Sequence, residues 1–224
     1  MDLKKIYARR FTPDLAYRAG MWRILCRDFF QDYVDRSSRV VEIGAGYCEF
    51  INNIEAAQRT AVDINPDLKQ YTAPGVKAVL ARTDRMRRVR SSSADVVFAS
   101  NFFEHLTREE IVGTLHEVHR VLAPGGRFMI LQPNVRFCGR DYWMFFDHVT
   151  PIDDRALVEV LEVNGFEMVK VIPRFLPYST KSALPRQYLL IRLYLRLPVL
   201  WRLFGQQSFL LGRKPNESKS GSAH

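Results

Sequence analysis

Residues 40–49, Val-Val-Glu-Ile-Gly-Ala-Gly-Tyr-Cys-Glu, constrain what this chain can fold into more than any other stretch. An apolar run with a carboxylate near its end, Glu42, turns through Gly44 and Gly46 and enters a predicted helix over Cys48–Gln58. A second short apolar run, Thr60–Ile64, carries Asp63 at its end and is closed by Asn65-Pro66. Strand, glycine turn, helix and strand in this order form the first β-α-β unit of a nucleoside-binding α/β domain, because glycine lets the backbone turn sharply and approach a ligand.

The side chains at the turn narrow the choice of nucleoside. A dinucleotide site calls for a third glycine where this chain has Glu49. Glu42 would repel a pyrophosphate approaching the start of the next helix. A carboxylate there suits a cationic, phosphate-free ligand, and S-adenosylmethionine carries both a sulfonium and an ammonium group. Asp63 can accept hydrogen bonds from two ribose hydroxyls.

The rest of the chain alternates strands and helices. A helix is predicted over residues 13–34, with Thr12 as N-cap, Pro13 in the first turn, and Trp22, Leu25, Phe29 and Phe30 at helical spacing. Strands are expected at Arg39–Ile43, Thr60–Ile64, Val76–Leu80, Ala94–Ser100, Arg127–Gln132, Phe166–Ile172 and Gln207–Arg213. Further helices are expected at Arg108–Val121, stopped by Pro124-Gly125-Gly126, and at Arg155–Asn164, ended by Gly165. Residues 82–93, with five arginines and three serines, read as a polar loop. Near-continuous apolar strands alternating with helices imply a mainly parallel sheet covered on both faces.

Four motifs in register carry a family resemblance: Glu42-x-Gly44-x-Gly46, Asp63, Asp95-Val-Val-Phe-Ala-Ser-Asn101, and Val121-Leu-Ala-Pro-Gly-Gly126. Over residues 38–172 the chain resembles class I S-adenosylmethionine-dependent methyltransferases. The resemblance implies a Rossmann-like α/β fold: a seven-stranded, mostly parallel sheet of order 3-2-1-4-5-7-6 with helices on both faces. S-adenosyl-L-methionine is then the cofactor. Glu42, Gly44, Ala45 and Gly46 would surround its methionine moiety, Asp63 its ribose and Ile64 its adenine, with Asn101 and Phe102 lining it from strand 4. Asp84 substitutes for an adenine-contacting acid that the family often has after strand 3, where this chain has Ala81. Arg18, with Tyr17 on the N-terminal helix, would close over the cofactor and meet its carboxylate. Cys48 stands where the family usually has a third glycine, which is tolerable if the backbone there is helical.

Methyl transfer needs a nucleophile held in line and, for a hydroxyl acceptor, a base. His105, after strand 4, and His148, after strand 5, are the candidate bases. Asp147 adjoins His148, but sequence neighbours need not face one another. Tyr142, Trp143, Phe145 and Phe146 could line an acceptor pocket or pack in the core. The three cysteines and five histidines form no metal-ligand pattern, so no metal is expected.

The chain divides into an N-terminal helical cap (1–37), a methyltransferase domain (38–213) with an insertion at 173–206, and a polar, disordered tail (214–224). Its formal charge is +9, which admits nucleic acid, membrane surface or anionic substrates. The arginine run at 82–90 lacks interleaved aromatics, which argues against a nucleic-acid track. Cysteine usage and a leading Met-Asp-Leu-Lys-Lys without an apolar core fit a cytoplasmic protein. Residues 187–204 are apolar but interrupted by arginines, suiting the sheet edge, an oligomer interface or peripheral contact with a membrane. With Phe-Asp-His-Val-Thr-Pro and Arg-Phe-Leu-Pro-Tyr, the arrangement resembles bacterial enzymes of cell-surface glycan assembly, so the expected acceptor is a small or lipid-linked sugar, methylated on oxygen. The alternatives are a nucleic-acid methyltransferase and a non-catalytic module on the same fold.

Overall fold

A computed structural model describes residues 15–178 and 187–216. Seven strands form one sheet: β1 (Arg39–Ile43), β2 (Gln58–Asp63), β3 (Val76–Leu80), β4 (Ala94–Ser100), β5 (Leu122–Pro133), β6 (Glu167–Ile172) and β7 (Gln207–Arg213). Their order is β3-β2-β1-β4-β5-β7-β6, with β1 to β5 parallel and β7 antiparallel to both its neighbours. This is the expected topology.

Alternate residues of each central strand feed two separate cores, as the two-residue period of a strand requires. Val96, Phe98, Met129 and Leu131 enter one core; Val97, Ala99, Phe128 and Ile130 enter the other. The first core is closed by helix α1 (Leu15–Asp28), which buries Trp22, Leu25 and Cys26. Phe50 stacks on Phe98 there, ring centres 3.8 Å apart. Thr12 and Pro13 lie outside the described residues. The predicted long helix is α1 followed by a short 3₁₀ turn, Phe30–Tyr33.

The second core is closed by the helices after β4 and before β6. After a four-residue helix, α2 (Leu68–Tyr71), comes α3 (Arg108–Val121), begun by a capping box of Thr107 and Glu110. A short α4 (Val135–Cys138) follows β5. Helix α5 (Asp154–Val163) is N-capped by Asp153 and stops before Gly165, at φ +85°. The insertion folds as α6 (Tyr188–Arg196) and α7 (Pro198–Phe204) and packs against α1.

Two expectations fail. No regular helix forms over Cys48–Gln58; the segment is a chain of turns. Cys48 has a left-handed φ of +60°, and the Ile51 N–H goes to the Glu42 side chain rather than to a backbone carbonyl. β5 also begins at Leu122, not after the glycines, because Lys214 pairs with Gly125 and Gly126 through its backbone and prolongs the sheet. Lys214 Nζ further donates to the carbonyls of His119 and Leu122. Of the predicted tail, 217–224 lie outside the described residues.

Candidate active site

The carboxyl ends of β1, β4 and β5 open into one cavity of about 440 Å³, bounded on the outside by α1, α6 and α7. At one end is the glycine turn after β1. Gly44 has φ +61°, and a Cβ there would lie 2.2 Å from the Phe102 ring, so both conformation and space demand glycine. Gly46, at φ +48°, donates its N–H to Asp63 Oδ2 at 2.8 Å, and the Asn65 N–H donates to Oδ1 at 2.8 Å. Asp63 thus ties the turn to β2.

Glu42 is buried, and its Oε2 accepts the Ile51 N–H at 3.0 Å. Burial holds its carboxyl well above the usual carboxylate range; the Ile51 N–H pulls it down, and Glu49 and Asp63 add to the rise. Arg18 reaches from α1 and grips Glu49 in a two-pronged ion pair, Nε to Oε1 at 2.8 Å. Tyr17 stacks on Tyr188 of α6 at 5.7 Å. The turn is therefore ringed by Glu42, Glu49 and Asp63, surroundings that fit a cationic ligand and oppose a pyrophosphate. Cys48 departs from the expected helical backbone: its left-handed φ is the conformation that favours glycine. Its thiol is buried, which pushes its ionisation up and leaves it unreactive.

At the other end, His105 and His148 meet with ring centres 5.1 Å apart. Asp147 pairs with His105, not with its sequence neighbour: His105 Nδ1 lies 3.0 Å from the Asp147 carbonyl and 3.4 Å from its Oδ2. Two acceptors facing Nδ1 favour a proton on that nitrogen. Nε2 is 3.8 Å from Glu104 Oε1, while Glu104 Oε2 accepts Gln132 Nε2 at 2.9 Å. Glu104 is buried and its carboxyl is raised by that burial, against the pull of His105. Tyr178 Oη stands 3.4 Å from His148 Nε2. Glu104, His105 and His148 can offer ligand atoms within 4.8 Å of one another, a possible cation site that the sequence pattern did not show.

Glu42, Gly44, Ala45, Gly46, Asn101 and Arg18 line the cavity together with both histidines. Asp63 stands behind Gly46, Phe102 packs over Gly44, and Ile64 is exposed at the end of β2. Asp84 is bound instead by Arg82, which also reaches Glu110 on α3. Asn101 holds a left-handed φ of +46° and donates its backbone N–H to Leu131. Glu49, Glu104 and Tyr178 also line the cavity; the sequence assigns them no site role, because they reach it through tertiary packing. Of the aromatic run, Tyr142 is buried, with its hydroxyl on the Thr150 carbonyl, whereas Trp143 and Phe146 are exposed.

Residues 41–130 match the family described as "Methyltransferase domain". No curated protein matches the chain. Among solved structures, a SAM-dependent methyltransferase from Archaeoglobus fulgidus is 21% identical, covering 91% of this chain and 99% of its own, with TM-score 0.68. A SAM-dependent methyltransferase from Thermotoga maritima is 17% identical, covering 94% and 98%, with TM-score 0.66. The [4+2]-cyclase SpnF is also similar, at 15% identity over 87% and 81% of the chains and TM-score 0.59, so shape alone does not fix the chemistry. The methyltransferase domain match and these neighbours support an S-adenosylmethionine-dependent methyltransferase, and the glycine turn suits its cationic cofactor.

Proposed function

We propose that this methyltransferase methylates a hydroxyl oxygen of a small or lipid-linked acceptor such as a sugar, with a histidine as base. The observation behind this reading is that one cavity joins the Glu42–Gly46 turn to the His105–His148 pair. When bound, S-adenosyl-L-methionine supplies a methyl group already activated by its sulfonium. Glu42, Gly44, Ala45 and Gly46 would hold the cofactor's methionine end, Arg18 its carboxylate, Asp63 its ribose and Ile64 its adenine. Asn101 and Phe102 flank the cofactor from β4, and Asp84 is left to its ion pair.

The protein's chemical task is then orientation and proton removal. His105 Nε2 would accept the proton of the acceptor hydroxyl. Asp147 fixes the tautomer and stabilises the imidazolium that results, a division of labour also used in hydrolase triads. His148, held beside it, contacts the acceptor. Residues 187–204 give the acceptor side a face suited to peripheral membrane contact.

A radiolabelled-methyl transfer screen against sugars, lipid extracts and tRNA tests the reading. Label in a base-stable sugar ether or glycolipid is expected. Label in tRNA alone would overturn it.

A further inference from the structure

Segment 173–206 holds six cations (Arg174, Lys181, Arg186, Arg192, Arg196 and Arg202) and no Asp or Glu, so it supplies six of the chain's nine excess positive charges. Arg174 donates to the Leu203 and Gly205 carbonyls, and Arg192 pairs with Asp28 at 3.2 Å. Arg196 and Arg202 are exposed. Beside them run exposed apolar residues: Leu189 and Leu193 on α6, Leu197 at the junction, then Val199 and Leu203 on α7. No helix among the described residues is long and apolar enough to cross a membrane. A short cationic helix pair with an outward apolar stripe suits the headgroup–acyl boundary.

A second apolar patch lies on a different segment, around Trp143 and Phe146. Trp143, Met144, Phe146 and Val149 are exposed, Phe146 at 85%. Arg140 and Asp141 precede them and cancel in charge. Both patches run into the active-site cavity. Met144, Leu193 and Phe204 are at once exposed and part of its lining, so the apolar surface continues inward without a polar break at these residues.

We infer that the Trp143–Val149 segment and helices α6–α7 form a two-sided rim that docks the cavity mouth on an anionic lipid bilayer, so that the acceptor hydroxyl arrives on an amphiphile from the membrane. Charge selects the occupant. A second copy of this chain would set cation against cation at Arg196 and Arg202, whereas anionic headgroups complement them. Tryptophan beside apolar side chains matches the interfacial zone. This inference rests on the lipid-linked form of the acceptor proposed above.

Its primary readout, vesicle binding, needs neither cofactor nor turnover. The full-length chain is sedimented with vesicles of phosphatidylcholine alone and with vesicles containing phosphatidylglycerol, and tryptophan emission is recorded. Expected are binding to the anionic vesicles, weakening with added salt, and a blue shift that Trp143→Phe reduces. The pairs Trp143→Ala/Phe146→Ala and Leu189→Ser/Leu203→Ser should each lower vesicle affinity about tenfold while keeping the melting shift given by S-adenosylhomocysteine. Absence of binding to anionic vesicles, wild-type binding by both pairs, or a dimer in sedimentation velocity that either pair dissolves would overturn the inference. Vesicle binding without methyl transfer to any hydroxyl would instead sink the proposed reaction and leave the docking rim standing.

Discussion

The two ends of the cavity are built on different principles. At the proposed cofactor end the backbone does the work: Gly44 and Gly46 in left-handed conformations, and strand ends that deliver Glu42 and Asp63 within two adjacent strands. At the proposed acceptor end side chains do the work, gathered from segments more than forty residues apart, His105 to Asp147 and His148. A site made of backbone demands particular residue types at fixed spacing and can be read in sequence. A site made of side chains from separate loops leaves only isolated histidines and carboxylates.

Mutations should separate the ends cleanly. The largest effect is expected from His105→Ala: turnover falls by about two to four orders of magnitude, while the melting shift with S-adenosylhomocysteine stays. His148→Ala should cost less turnover and raise the KM for acceptor more. If His148→Ala alone abolishes turnover, the roles are reversed. Removing divalent cations with EDTA should leave turnover unchanged; a loss restored by added metal would recast Glu104, His105 and His148 as ligands.

At the other end, Glu42→Gln should weaken binding of S-adenosylmethionine about tenfold or more, since hydrogen bonds to charged groups contribute roughly 1.5–3 kcal/mol. The same variant has a signed pH effect. The Glu42 carboxyl is raised in the fold above its unfolded value near 4.5, so between those two values the native state holds more protons than the unfolded chain. Its contribution to stability is full below about 4.5 and is lost as pH rises through the raised folded value. The melting temperature of wild type relative to Glu42→Gln should fall across that window, and bound cofactor should restore it. A pH-independent difference would contradict this.

The smallest effect is expected at Cys48→Gly. A left-handed non-glycine residue costs about 1 kcal/mol or more, but the thiol is fully buried and its loss removes a similar amount of packing. Urea unfolding should place the net change within about 1 kcal/mol.

The fold was legible because central strands feed alternate residues to two cores, so Val76–Leu80, Ala94–Ser100 and Gln207–Arg213 fall where their apolar patterns placed them. The failed helix at Cys48–Gln58 has a local cause that propensity does not encode: the Glu42 carboxylate competes for a helix N–H, and Cys48 adopts a left-handed φ. Asp147 faces His105 because the loop after β5 folds back onto the loop after β4, with the Val149 N–H on the Glu104 carbonyl at 2.7 Å. No spacing rule predicts that pairing. Asp84 faces away because Arg82, two residues earlier, captures it.

The central claim is that the glycine turn is an anionic seat for a cationic, phosphate-free cofactor. Calorimetric titration of the wild-type chain with S-adenosylmethionine tests it most directly. One cofactor per chain should bind, Glu42→Gln should bind more weakly, and NAD should not bind. Binding of NAD, or wild-type affinity in Glu42→Gln, would contradict the account.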